Sequence, residues 1–278
     1  MKAILLSTAV AITVFVSATS AFADDDLINK IKASGEIKVA VGSAPPFVSI
    51  SPTGEPIGYA VEVLQAALNG IGLPKITPNK ADWSAMIPGL QAHQYDLVAP
   101  GLTITEERCN AIIFSAPVWS MQFGIYTPSG NPKGFASTKE FANQAKYKAA
   151  VINGSSQDIY ATKNGVAESQ LVRVTDVQSG VAAVKGGRAD AFIVGRLSVP
   201  DPEGKGLSVV TDLESPIFGY GIAFRKEDTA LRDALDQQID AMRKDGRLKK
   251  LYSDKYHLPD WDAFVRQSRA SDFYNNCK

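Results

Sequence analysis

From residue 36 onward the chain alternates short β-rich runs with stretches of helical period, and this alternation narrows its fold more than any other feature. Glu36–Val41 reads as a strand, followed by a Pro45-Pro46 turn, a short strand at Pro56–Tyr59 and a helix over Ala60–Leu68. Trp83–Gln91 carries Trp83, Met86, Ile87 and Leu90 at the spacing of one helix face. Asp96–Ala99 is a short buried strand that runs straight into Gly101. Met121–Thr127 is extended, and Pro128-Ser129-Gly130-Asn131-Pro132 is a strong turn cluster. A second cycle follows, with strand Lys148–Ile152, a helix starting near Ser156, strand Leu171–Val174, helix Val177–Lys185 and strand Ala191–Val194. Gly219–Phe224 is extended again. Leu231–Lys244 has Leu231, Ala234, Leu235, Ile239 and Met242 on a helical face, with Gly246 as its stop. The fold class expected is α/β, with two units joined by extended segments near residues 120–124 and 220–224. Such an arrangement makes a clamp that closes by hinge motion. The expected division puts residues 24–121 and 224–278 in the first lobe and 122–223 in the second.

The first residues have a different character. Lys2 precedes an apolar run from Ala3 to Val16, and Ala21-Phe22-Ala23 stands just before Asp24-Asp25-Asp26. This is the pattern of a secretory signal peptide, residues 1–23, cleaved after Ala23; the run is too short and wrongly flanked to span a bilayer. The mature chain is therefore expected in the periplasm. No cysteine lies at the cleavage point, so a free protein is expected rather than a lipid-anchored one. The 29 basic residues balance the 29 acidic ones, which argues against nucleic acid as a partner. Cys109 and Cys277 are the two cysteines; in an oxidising compartment they form a plausible disulfide, with two buried free thiols as the alternative. His93 and His257 are isolated and no Cys-x-x-Cys pair occurs, so neither a metal site nor a cofactor is expected.

The densest chemistry lies in Ala99–Pro117, where Gly101, Thr103 and Arg108 fall within eight residues. A guanidinium presents paired donors in a plane and, beside hydroxyls and backbone N–H groups, makes a receptor for a carboxylate. The alternative for Arg108 is a surface ion pair with Glu106 or Glu107. Asn153-Gly154-Ser155-Ser156 follows a strand and opens a helix, where free N–H groups can cradle an anion; an ordinary serine N-cap is the alternative. Phe47 and Trp83 offer ring faces to a planar or cationic ligand, although Trp83 also fits the buried face of its helix. Trp119, near the first crossover, is either hinge packing or pocket wall.

Ala44-Pro45-Pro46-Phe47, Gly58–Val63, Trp83–Leu90 and Gly101–Arg108 occur in the order and at the spacing of matching segments in the bacterial extracellular solute-binding proteins, family 3. The chain resembles that family. The resemblance implies the type II periplasmic binding protein fold, with two α/β lobes joined by two hinge strands. It also implies a monomeric, non-enzymatic receptor that hands a small carboxylate-bearing solute, an amino acid or a derivative such as a compatible solute, to an inner-membrane ABC permease. On this likeness Arg108 takes the carboxylate, with Gly101 and Thr103 as further donors. Asn153–Ser156 resembles the family's Gly-Thr-Thr turn and places Ser155 and Ser156 opposite. Phe47 and Trp83 stand at ligand-contacting positions. Where the family holds the ligand's ammonium with an acidic residue, this chain has Gly195, and Ala44 replaces a common aromatic or acid. Trp83–Leu90, Ile104–Cys109 and Ala223–Asp233 look most like the ectoine and hydroxyectoine binders, but Ala44 and Thr103 depart from their pattern. These departures favour a ligand whose nitrogen is methylated, cyclised, delocalised or absent.

Two other readings stay open. An enzyme resembling the periplasmic cyclohexadienyl dehydratases would need a positioned acid or base, for which the chain offers Glu62, Asp82 and Asp201. A sensor or accessory protein would dock a receptor kinase or redox partner with the same closed lobes.

Overall fold

A computed structural model describes residues 26–277, and residues 1–23, expected from the sequence to be a signal peptide, lie outside them. Two sheets organise the chain. The first runs in the order Ile76–Lys80, Ile37–Val41, Leu97–Thr103, Phe218–Phe224 and Ile113–Phe114, with Trp119–Met121 also paired to Phe218–Phe224. Its first three strands are parallel, and Phe218–Phe224 enters antiparallel. The second runs Leu171–Val174, Ala149–Ile152, Ala191–Gly195, Phe123–Pro128 and Leu207–Thr211. Here too three parallel strands are followed by an antiparallel one. Parallel strands covered by helices lose their alternation and become continuously apolar, as in the fully buried Ala149–Ile152 and Ala191–Gly195.

The chain crosses between the sheets twice. Gln122 separates Trp119–Met121 in the first sheet from Phe123–Pro128 in the second, and residues 212–217 lead back. Phe218–Phe224 belongs wholly to the first sheet, whereas the reading from sequence placed the return at 224. Both halves present the carboxyl ends of their parallel strands to the interface, the end where open α/β sheets bind ligands.

Helix Tyr59–Gly70 buries Tyr59, Ala60, Val63, Leu64, Ala67 and Leu68 on one stripe and packs against helix Thr229–Lys244. The latter buries Leu231, Leu235, Ile239 and Met242. Strand Leu171–Val174 and helix Val177–Lys185 have the limits expected from their pattern. The segment Trp83–Gln91 is not one helix: Trp83–Ala85 is a 3-10 turn leading into helix Met86–Gln91. Ile76–Lys80 and Leu207–Thr211 escaped the hydrophobic pattern because both are edge strands, half solvated, and the former contains Pro78. Cys109 and Cys277 form a disulfide with Cα atoms 5.0 Å apart, tying the C-terminal tail to helix Glu106–Ala111.

Candidate functional site

Strand Leu97–Thr103 ends in the interface, and two residues later Thr105 Oγ1 accepts the Arg108 N–H at 3.3 Å to cap helix Glu106–Ala111. The short helix turns the Arg108 side chain back over the strand end. Nη1 donates to Thr103 O at 3.0 Å, and Nη2 donates to Gly154 O of the opposite half at 3.3 Å. Arg108 is only 7% exposed, and among the described residues it has no acidic partner. Glu107 instead pairs with Lys163 across the cleft rim, so the surface ion pair with Glu106 or Glu107 does not form. Burial pushes the guanidinium down to about 10, with Tyr220 acting weakly the other way. A cation that has lost its water without gaining a counter-charge is a receptor for an anion.

The opposing half is built on strand Ala149–Ile152. Ser155 Oγ accepts the Asp158 N–H at 3.2 Å and caps helix Ser156–Lys163. The Asp158 carboxylate accepts from Gly154 N at 3.1 Å and from Arg173 Nε at 2.9 Å, which holds the turn in place. Ser155 therefore serves as a cap while Ser156 faces across the cleft, where its hydroxyl meets Thr103 Oγ1 at 2.7 Å. Gly154 has φ +70°, and a Cβ there would stand 2.8 Å from Ser84 Cβ of the other half. Only glycine accepts both the left-handed backbone and that approach.

Aromatic rings form the remaining wall. Phe47, Trp119 and Tyr220 stack in sequence, with centroids 4.6 Å and 4.7 Å apart and interplanar angles of 6° and 5°. Trp119 is thus both hinge packing and cavity wall. Its Nε1 and the Tyr220 hydroxyl are buried without a hydrogen-bond partner of ordinary geometry. Burial pushes the Tyr220 phenol up to about 12, an effect that nearby Thr103, Arg108 and Gln157 partly offset. The Trp83 ring lies over Gly42 and Gly101 and packs against the apolar clusters of both halves, so its core and cavity roles coincide.

These groups surround a small cavity between the two halves. Phe47, Trp83, Gly101, Thr103, Arg108, Trp119, Ser155, Ser156 and Gly195 all reach its wall. Ala44 lines it as well. Sequence reasoning missed Tyr220, Met121, Gln157 and Ser198, which with Ile152 and Val194 complete the lining. Tyr220 and Met121 lay within segments read as extended, and their alternation was the signal available; Ser198, in a loop, offered none. At Gly195 a Cβ would collide with Met121 Cε and come within 2.8 Å of Ser198 Oγ. Glu62, Asp82 and Asp201 lie outside the cavity. Glu62 bonds Lys255 and Tyr256, and Asp201 accepts from Gly204 N in a turn.

Two α/β halves closed over a small donor-lined cavity define a solute receptor. The sequence matches the bacterial extracellular solute-binding proteins, family 3, over residues 37–258, and the chain belongs to that family. It is 28% identical to the probable amino-acid ABC transporter periplasmic-binding protein y4tE of Sinorhizobium fredii, over 98% of this chain and 93% of that protein. It is 30% identical to the L-cystine-binding protein TcyJ of Escherichia coli, over 86% of this chain and 89% of that protein. Among solved structures, EhuB in complex with hydroxyectoine superposes with a TM-score of 0.84 at 28% identity, covering 92% of this chain and 98% of that one. The fold is that of the type II periplasmic binding proteins.

Proposed function

We propose that this protein captures a small carboxylate-bearing solute in the periplasm, closes its two lobes over it, and delivers it to the inner-membrane permease of an ABC importer. The observation that carries the reading is Arg108, buried, bonded to backbone carbonyls of both halves and, among the described residues, without a carboxylate partner. A solute anion supplies the missing charge. Because Thr103 and Arg108 stand on one half and Ser155 and Ser156 on the other, only the closed form offers all these donors together, which makes closure ligand-dependent. The hydroxyectoine complex of a structural relative supports a small solute as the ligand.

The reading is of a binding protein, released by signal-peptide cleavage and acting as a monomer, rather than of an enzyme. Among the described residues the cavity wall contains no Asp, Glu, His, Lys or Cys, so no side chain there is suited to act as general acid or base near neutral pH. Calorimetric titration with a carboxylate panel is expected to find saturable binding without turnover, and X-ray scattering is expected to show compaction on binding. Absence of any binder at millimolar concentration would refute the reading, as would turnover of prephenate or arogenate.

A further inference from the structure

We propose that the solute is a net-anionic carboxylate rich in hydrogen-bond acceptors, such as a 2-oxo or 2-hydroxy acid, and not a zwitterion carrying a protonated amine. This rests on the carboxylate-receptor reading above and deepens it.

The argument is an inventory of polar atoms in the wall. Arg108 is the charged side chain there, and it is cationic. The main-chain acceptors beside it are already engaged: Thr103 O and Gly154 O by Arg108, and Gly195 O by Ser198 N at 2.8 Å. The donors are not. Trp119 Nε1 is buried and unpartnered, the Tyr220 hydroxyl lies beside Thr103 and Gln157 without a hydrogen bond of ordinary geometry, and the Ser156 and Gln157 N–H groups that open helix Ser156–Lys163 have no partner within the helix. A carboxylate with one further oxygen satisfies such a set, whereas a protonated amine would meet only neutral oxygens, such as those of Thr103, Ser156, Gln157 and Ser198, and among the described residues the wall holds no counter-charge for it. Burying an ammonium without a partner is strongly unfavourable.

Trp119, the central ring of the aromatic wall, is not available as the face of a box for a quaternary cation. Both faces of Trp119 are covered, one by Phe47 and the other by Tyr220, so this ring offers a solute its edge and its N–H rather than its π face. The place from which an acid might reach the solute is closed as well, because Met121 and Ser198 occupy the space beside Gly195.

The test is calorimetric titration of the full-length mature protein with matched sets on the alanine, valine and phenylalanine skeletons. Each skeleton is offered as the 2-oxo acid, the 2-hydroxy acid, the trimethylammonio acid and the amino acid. The expected result is that, in at least one set, the oxo or hydroxy acid binds about tenfold or more tighter than both nitrogen-bearing members. Equal or tighter binding of the amino acid or the trimethylammonio acid overturns the proposal and leaves the carboxylate receptor standing. Failure of every member to bind at millimolar concentration overturns the receptor reading itself. A second arm uses Gly195→Asp combined with Met121→Ala, which opens room for a carboxylate. In a variant that still melts cooperatively, the preference is expected to swing toward the amino acid. An unchanged order in that folded variant would show that this position does not set the selectivity.

Discussion

Thr103 Oγ1 and Ser156 Oγ stand 2.7 Å apart, one on each side of the cleft, in a hydrogen bond buried between the two halves of the protein. Together with the Arg108–Gly154 contact and the Glu107–Lys163 and Arg196–Asp260 ion pairs, it stitches the closed form with protein atoms alone. A single hydrogen bond of this kind is worth only about 0.5–1.5 kcal/mol, and exposed ion pairs less. Closure then depends on the added contacts a solute makes with both halves.

Replacing Arg108 tests the source of that added energy. Arg108→Ala is expected to weaken carboxylate binding roughly tenfold to a hundredfold in calorimetry, the range for loss of charge-assisted hydrogen bonds. Arg108→Lys is expected to restore little, because an ammonium lacks the planar fork that reaches Thr103 O and Gly154 O while facing the solute. Wild-type affinity in Arg108→Ala would remove the basis of the proposed function.

Gly154→Ala probes closure without touching a charge. The left-handed backbone costs a residue with a Cβ about 1–2 kcal/mol, and the added methyl meets Ser84 across the cleft. Solute affinity is expected to fall roughly fivefold or more, with scattering showing a larger radius in the presence of solute than wild type shows.

Asp236 gives the protein a pH dependence. Its Oδ1 accepts the Ala116 N–H at 2.7 Å, and burial pushes its carboxyl up to about 6. The folded state therefore binds more protons than the unfolded state between about 4 and 6, so stability falls as pH rises through that window. The ionised group is a standing cost at neutral pH. Asp236→Asn retains an acceptor for Ala116 and is expected to stabilise the protein on the order of 2 kcal/mol at pH 7. The gain should vanish near pH 4 in denaturant titrations; a constant gain across pH would contradict the shift.

The Cys109–Cys277 disulfide closes 168 positions of sequence and anchors the tail beside the helix that carries Arg108. Cys277→Ser is expected to cost about 2–5 kcal/mol, read as a drop in melting temperature of roughly 5–15 °C. Reductant should lower the wild-type value similarly and leave the variant unchanged.

Much of this was legible in the residues taken in order. The α/β alternation, the helix Val177–Lys185 and the strand Leu171–Val174 are local, because period and capping act over a few neighbouring positions. The proposed anion-binding role of Gly101–Arg108 and Asn153–Ser156 also rests on local signals, since strand ends that open helices leave N–H groups free. The edge strands Ile76–Lys80 and Leu207–Thr211 were not legible, because half-solvated edges need no apolar pattern.

By itself, then, the sequence determined the class of fold and singled out Arg108 and the Asn153–Ser156 turn as the candidate anion-binding groups. Tertiary structure alone decided how those groups meet: that Arg108 is buried with no acidic partner among the described residues while Glu107 turns to Lys163, that Trp119 is enclosed between Phe47 and Tyr220, and that Met121 fills the space at Gly195. The physical reason is separation along the chain. Thr103 ends a strand of the first sheet and Ser156, 53 positions away, opens a helix of the other half, and only the packing of one half against the other sets which donors remain unspent.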